Sequence, residues 1–281
     1  MNLIKLILVV LFCGQVSLVQ AQLQSVDELI VKSGVQRQVE QVPEVMKASF
    51  EQRFKQDQKM SAADRYNLRT AASESFQPAA MIKTVREIVA AGLSEAELVE
   101  IMKWLNSPLG MKITQLEEQS SSGDAYREMM IFAENMPEPA PARLALIERM
   151  DSAAHMTQYS TQLKVDVAMA MTASLACTQE CNDFSREQLA KQLEKSRPQI
   201  EEASRQETIV HSLFSYQTLT DEELAEYIKF YETAAGQKYM RVVTSALSKA
   251  IQDASTIMGQ KMGQALKEKK KISAQDIPEV K

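Results

Sequence analysis

Glycine and proline are scarce, with eight of each in 281 residues. They are the residues that punctuate a chain into turns, so few breaks separate its regular elements. Neither Asn-Gly nor Asp-Gly occurs, and these are the strongest short-range hairpin signals. No stretch alternates apolar and polar residues as a half-buried strand does. Histidine and cysteine are few as well. The two histidines, His155 and His211, and the three cysteines, Cys13, Cys177 and Cys181, are the whole supply. The histidines fall in different helical stretches, so a zinc site or hydrolytic triad lacks its parts. G-x-G-x-x-G, P-loop, H-E-x-x-H and G-x-S-x-G patterns are all missing. Positive charge is not in excess either: 32 basic residues stand against 37 acidic ones, a net charge of −5. A nucleic-acid binder normally carries a basic footprint, so that class is disfavoured. Past the N-terminus no apolar run approaches the roughly 20 residues that a membrane-spanning helix needs.

What fills the chain is helix-forming: Ala, Glu, Gln, Lys, Leu and 16 Met. One stretch occurs twice. Residues 93–112 read LSEAELVEIMKWLNSPLGMK, and residues 219–238 read LTDEELAEYIKFYETAAGQK. The copies are 126 positions apart, without a gap, and seven of twenty positions are identical. Each opens on a capping box, Ser94 with Glu97 and Thr220 with Glu223. The hydroxyl accepts from the N3 amide while the glutamate reaches back to the cap amide. Leu93 with Leu98, and Leu219 with Leu224, are spaced as hydrophobic staples. Apolar residues then recur at i, i+3, i+4, i+7 (Leu98, Ile101, Met102, Leu105; Leu224, Tyr227, Ile228, Tyr231), one face of an amphipathic helix. Trp104 and Phe230 match by position and widen that face. A second helix starts at once, capped by Ser107 or Thr233, with Pro108 suited to the first helical position. Gly110 and Gly236 sit inside its first turn, where glycine costs roughly 1 kcal/mol of helix propensity. Their recurrence predicts that another helix packs closely there. Caps and burial explain the whole stretch; a binding face built from Lys103, Lys112, Lys229 and Lys238 is the sharper alternative, although lone lysines usually mark solvated surface.

This pattern, a hydrophobic residue followed by Ser/Thr-x-x-Glu-Leu-x-Glu, an aromatic or apolar pair, then Ser/Thr-Pro-x-Gly-x-Lys, resembles the bacterial family called domain of unknown function 2059. The first copy keeps Ser107, Pro108, Gly110 and Lys112; the second keeps Thr233, Gly236 and Lys238 but has Ala234 in place of the proline. The resemblance implies an exported, helical protein and brings no activity with it.

Residues 1–21 read as a secretory signal: Lys5, an apolar run from Leu6 to Cys13, and Val19-Gln20-Ala21 before a cleavage point. Its removal would take one lysine and no acid, leaving a charge of −6. Repeat one is expected over 22–134, with a first helix from Val26 to Gln41 that stops before Pro43. The segment around Pro78 should break or kink, and Gly92 should terminate a helix. Pro137, Pro139 and Pro141 mark a stiff linker at 135–141. Repeat two is expected over 142–266, with Pro198 restarting the chain and one long final helix. A charged, disordered tail is expected over 267–281.

Cys177 and Cys181, at i and i+4, are spaced for a disulfide in an oxidising compartment. The methionines, including Met129-Met130 and Met169-Ala170-Met171, read as fillers of irregular gaps between helices, or as the lining of an adaptable groove. The sequence therefore points to an all-α fold of two tandem helical-bundle repeats joined by a Pro-rich linker. It also points to a periplasmic, non-enzymatic binding or interaction module without a cofactor, whose partner is an unknown protein or an apolar small ligand. The alternatives are an envelope enzyme using Glu97, Glu100, Glu223 and Glu226, or a structural subunit of an envelope complex.

Overall fold

The computed structural model describes residues 23–56, 61–178 and 186–275. Among them lie twelve helices and no strand. They are α1 (23–32), α2 (Val35–Gln56), α3 (Ala62–Ser75), α4 (Pro78–Gly92), α5 (Glu95–Leu105), α6 (Pro108–Ser120), α7 (Gly123–Asn135), α8 (Pro141–Ala154), α9 (Met156–Thr178), α10 (Arg186–Ser215), α11 (Asp221–Glu232) and α12 (Ala234–Gln275). The segment expected to be a signal, 1–21, lies outside the described residues. No described helix is long and apolar enough to cross a membrane.

Residues 136–140 are non-helical between α7 and α8, and Asn135 and Pro141, expected in the linker, are helical, with Pro141 opening α8 at its first position. Two prolines act differently from the sequence expectation. Pro43 lies inside α2 and Pro198 inside α10. The chain breaks instead at Gly34, whose φ of +73° is a left-handed conformation that costs glycine little. Pro78 opens α4 at its first position, where the missing N–H costs nothing. Gly92 is the last residue of α4 and not a left-handed cap; a Cβ there would lie 2.7 Å from a Val242 methyl, so the glycine admits α12. The final helix runs on to Gln275, through residues expected to be disordered. Lysine, glutamate and alanine are good helix formers, and they extend a helix already nucleated by its packed part.

α12 is the axis of the molecule. It packs along α9 of its own copy and along α4, α3 and α5 of the other. α11 packs on α8 and α6, and α10 on α9, α6 and α7. One apolar core results, drawn from both copies: Val85, Val89, Leu98, Ile101 and Ile113 belong to the same cluster as Leu224, Ile228, Val242, Ala246 and Met258. The repeats are therefore not two beads on a linker.

The copies diverge just after the repeated stretch. Ser120-Ser121-Ser122-Gly123 breaks copy one into α6 and α7, with Ser122 Oγ accepting from the Ala125 amide at 3.0 Å. The same positions in copy two are Ala246-Leu247-Ser248-Lys249, and α12 passes through them unbroken. α7 turns away onto α2, where a Cβ on Gly123 would lie 3.1 Å from the Glu44 carbonyl oxygen.

Candidate functional site

The repeated stretch forms the same corner twice. Ser94 Oγ accepts from the Glu97 amide at 3.4 Å, and Glu97 Oε2 accepts from the Ser94 amide at 2.8 Å. Thr220 and Glu223 repeat this at 3.2 and 3.0 Å. Leu93, Leu98, Leu219 and Leu224 are all buried. At the second start, Ser107 Oγ accepts from the Gly110 amide and Thr233 Oγ1 from the Gly236 amide, each at 3.0 Å. A Cβ on Gly110 would stand 2.2 Å from the Trp104 carbonyl oxygen, and one on Gly236 2.0 Å from that of Phe230. The glycines are thus required by the last turn of the helix just before them, and not by a distant helix.

The two corners face each other. Trp104 and Phe230 occupy the same position in the two copies and stack with ring centroids 4.8 Å apart and planes at 8°. Lys112 Nζ donates to Glu223 at 2.7 and 2.8 Å. The exchanged pair is Lys238 and Glu97, and Lys238 with Arg241 draws Glu97 down below the usual carboxylate range after the larger effect of the Ser94 hydrogen bonds. The stack of Trp104 on Phe230, one position meeting its own equivalent, is what a twofold arrangement of the two copies gives. The four lysines divide accordingly: Lys112 and Lys238 serve this interface, while Lys103 and Lys229 are exposed.

A buried polar cluster breaks the symmetry. Glu117 of α6 accepts at Oε1 from the hydroxyls of Tyr216 at 2.8 Å and Tyr227 at 2.6 Å. Tyr227 in turn is hydrogen-bonded to Tyr231. At the exchanged positions stand Val243, Ala90, Ile101 and Leu105, so the polar set exists on one side only. Burial pushes the Glu117 carboxyl above its ordinary range, against the opposing pull of the two tyrosine hydrogen bonds. Burial likewise raises Tyr216, Tyr227 and Tyr231. Every member is hydrogen-bonded within the set, so the cluster ties the copies together and leaves little over for chemistry. Sequence reading missed it because Glu117 and the tyrosines are about a hundred residues apart. Glu100 and Glu226, the carboxylates with no capping role, are exposed.

An apolar opening lies between α7, α9 and α10. It is a groove of about 660 Å³. Tyr126, Met129, Met130 and Ala133 line it from α7, Met156 and Ser160 from α9, and Gln206, Glu207, Thr208, Val210 and His211 from α10. Phe132 of α7 and Phe214 of α10 meet at 5.7 Å beside it. Glu207 is held by Lys164 at 2.6 Å. Burial lowers the His211 pKa, which keeps the ring neutral near pH 7. Among the described residues no three His, Cys, Asp or Glu side chains gather to hold a metal ion. His155 lies elsewhere, with a left-handed φ of 54° between α8 and α9. The expected Cys177–Cys181 bridge involves Cys181, which lies outside the described residues.

No curated protein and no solved structure matches the chain. A family match does exist, and it falls on α4 to α7 and again on the turn after α10, α11 and most of α12, the segments that build the twofold corner. The chain carries, in two tandem copies over residues 79–134 and 216–268, the region of the family described as uncharacterized protein conserved in bacteria (DUF2059).

Proposed function

We propose that this is an exported, non-enzymatic binding protein that holds a small apolar ligand in the groove among α7, α9 and α10. The groove itself is the observation that carries the reading. Its volume of about 660 Å³ falls in the range of roughly 300–1,000 Å³ typical of small-molecule sites. A stable protein partner would instead need roughly 800 Å² of surface on each side. Met129, Met130 and Met156 supply flexible, polarizable walls that adapt to an apolar guest. The break at Ser120–Gly123, absent from copy two, is what swings α7 into position as a wall. Export is supported by the signal-like residues 1–21, and an oxidising compartment suits a Cys177–Cys181 bridge.

The test is native followed by denaturing mass spectrometry on the full chain isolated from a bacterial periplasm. Added mass that leaves on denaturation supports the carrier. Bare protein that also fails to enhance the fluorescence of N-phenylnaphthylamine, an apolar probe, overturns it. A denatured mass that still contains residues 1–21 overturns export by cleavage.

A further inference from the structure

The groove is apolar along most of its wall, with a few polar side chains set into it. The half-buried His211 imidazole lines it and, like the hydroxyls of Tyr126, Ser160 and Thr208, makes no side-chain hydrogen bond to a described residue. We propose that the ligand is an uncharged amphiphile, an aliphatic chain ending in a hydroxyl or amide, with its head on the His211 imidazole and its chain along Met129, Met130 and Met156. The inference rests on the carrier reading and names the ligand class.

The chemistry selects the head. A neutral imidazole has one N–H donor and one acceptor nitrogen, and a hydroxyl or amide can answer either. No Lys or Arg is among the groove's lining residues, and the one formally charged side chain there, Glu207, is already engaged by Lys164. A carboxylate head would meet Glu207, and the nearby cation, Lys164, is already paired with that acid. An ammonium head would have to compete with Lys164 for that acid, and it would meet a ring that burial keeps from sharing positive charge. A chain with no head at all would fill the methionine wall but leave the imidazole unanswered, and a buried polar group without a partner is disfavoured.

Displacement of N-phenylnaphthylamine from the full chain tests this, with decanol, decanoate and decyltrimethylammonium as competitors at about pH 8, where decanoate is ionised. Decanol is expected to compete at least about tenfold better than either ion, the equivalent of one good hydrogen bond. His211→Phe should weaken decanol about tenfold while the probe still binds and the ions stay disfavoured; His211→Gln, which keeps a donor and an acceptor, should retain most of the decanol affinity. Met156→Trp, which fills the groove, should reduce binding of every competitor. Ions that compete as well as decanol, or decanol competition unchanged by His211→Phe, would overturn the headgroup assignment and leave the carrier standing. A probe that never binds the wild-type chain would remove both.

Discussion

Trp104 and Phe230, 126 positions apart and equivalent in the repeat, lie face to face at 4.8 Å across the interface between the copies. Tyr227 extends the stack, its ring parallel to Trp104 within 4° at 5.9 Å. Position 104/230 is thus where the local twofold axis passes, and each copy offers its ring to the other. Trp104→Ala is expected to cost about 3 kcal/mol, the usual scale for deleting a large packed aromatic. In a double-mutant cycle with Phe230→Ala, the coupling should be about 0.5–1.5 kcal/mol. Urea unfolding of the four proteins measures it, and a coupling near zero would show that the rings are merely neighbours.

Gly110 and Gly236 should resist substitution by the best helix former. Alanine normally gains about 1 kcal/mol over glycine inside a helix. Here its Cβ would meet a carbonyl oxygen of the preceding helix at 2.2 or 2.0 Å, and the corner would have to open. Gly110→Ala and Gly236→Ala are each expected to destabilise by about 1–3 kcal/mol, the scale of overpacking. Thermal melts read the sign directly, since helix propensity alone predicts a rise.

Glu117 should make stability depend on pH in a definite direction. Its carboxyl titrates higher folded than unfolded because burial disfavours the charge. The folded state then binds the proton more tightly, so the stabilisation is full below the unfolded value of about 4 and is lost as pH rises through the folded value. Glu117→Gln removes the titration and keeps an acceptor for Tyr216 and Tyr227. Its stability relative to wild type should therefore climb from about pH 4 towards neutrality, as denaturation at several pH values would show; a flat difference would contradict the burial. Glu117→Val leaves both hydroxyls without their acceptor and should cost about 1–3 kcal/mol throughout.

Protein isolated from the periplasm should show no titratable thiol in denaturant and two after reduction, from Cys177 and Cys181. The loop is so short that reduction should cost about 2 kcal/mol or less. Two reactive thiols before reduction would rule the bridge out.

Sequence-local features were legible because they act over three or four residues. The boxes at Ser94 and Thr220, the caps at Ser107 and Thr233 and the start at Pro108 all follow from local backbone chemistry. Local rules failed where packing outweighed them. Pro43 is carried inside α2 between buried Val39 and Ala48; Pro198 is carried inside α10 with no buried residue from 187 to 203, and packing does not explain it. Gly92 looked like a terminator but is needed for the approach of Val242. The groove was legible only as a surplus of methionines. Its walls come from three helices and both copies, and no spacing in the chain shows that Met129 and His211 will meet.

By itself, then, the sequence determined an all-helical chain, its duplication, and the corner that each copy folds. Hydrogen bonds and apolar periodicity over a few residues are enough for that. Only the tertiary structure decided that the copies would share one core, with Trp104 on Phe230, Glu117 under the tyrosines and α7 turned outward to open a groove. Those outcomes depend on which faces meet across a hundred residues, and that choice is made by burial and shape, which leave no periodic mark on a single chain.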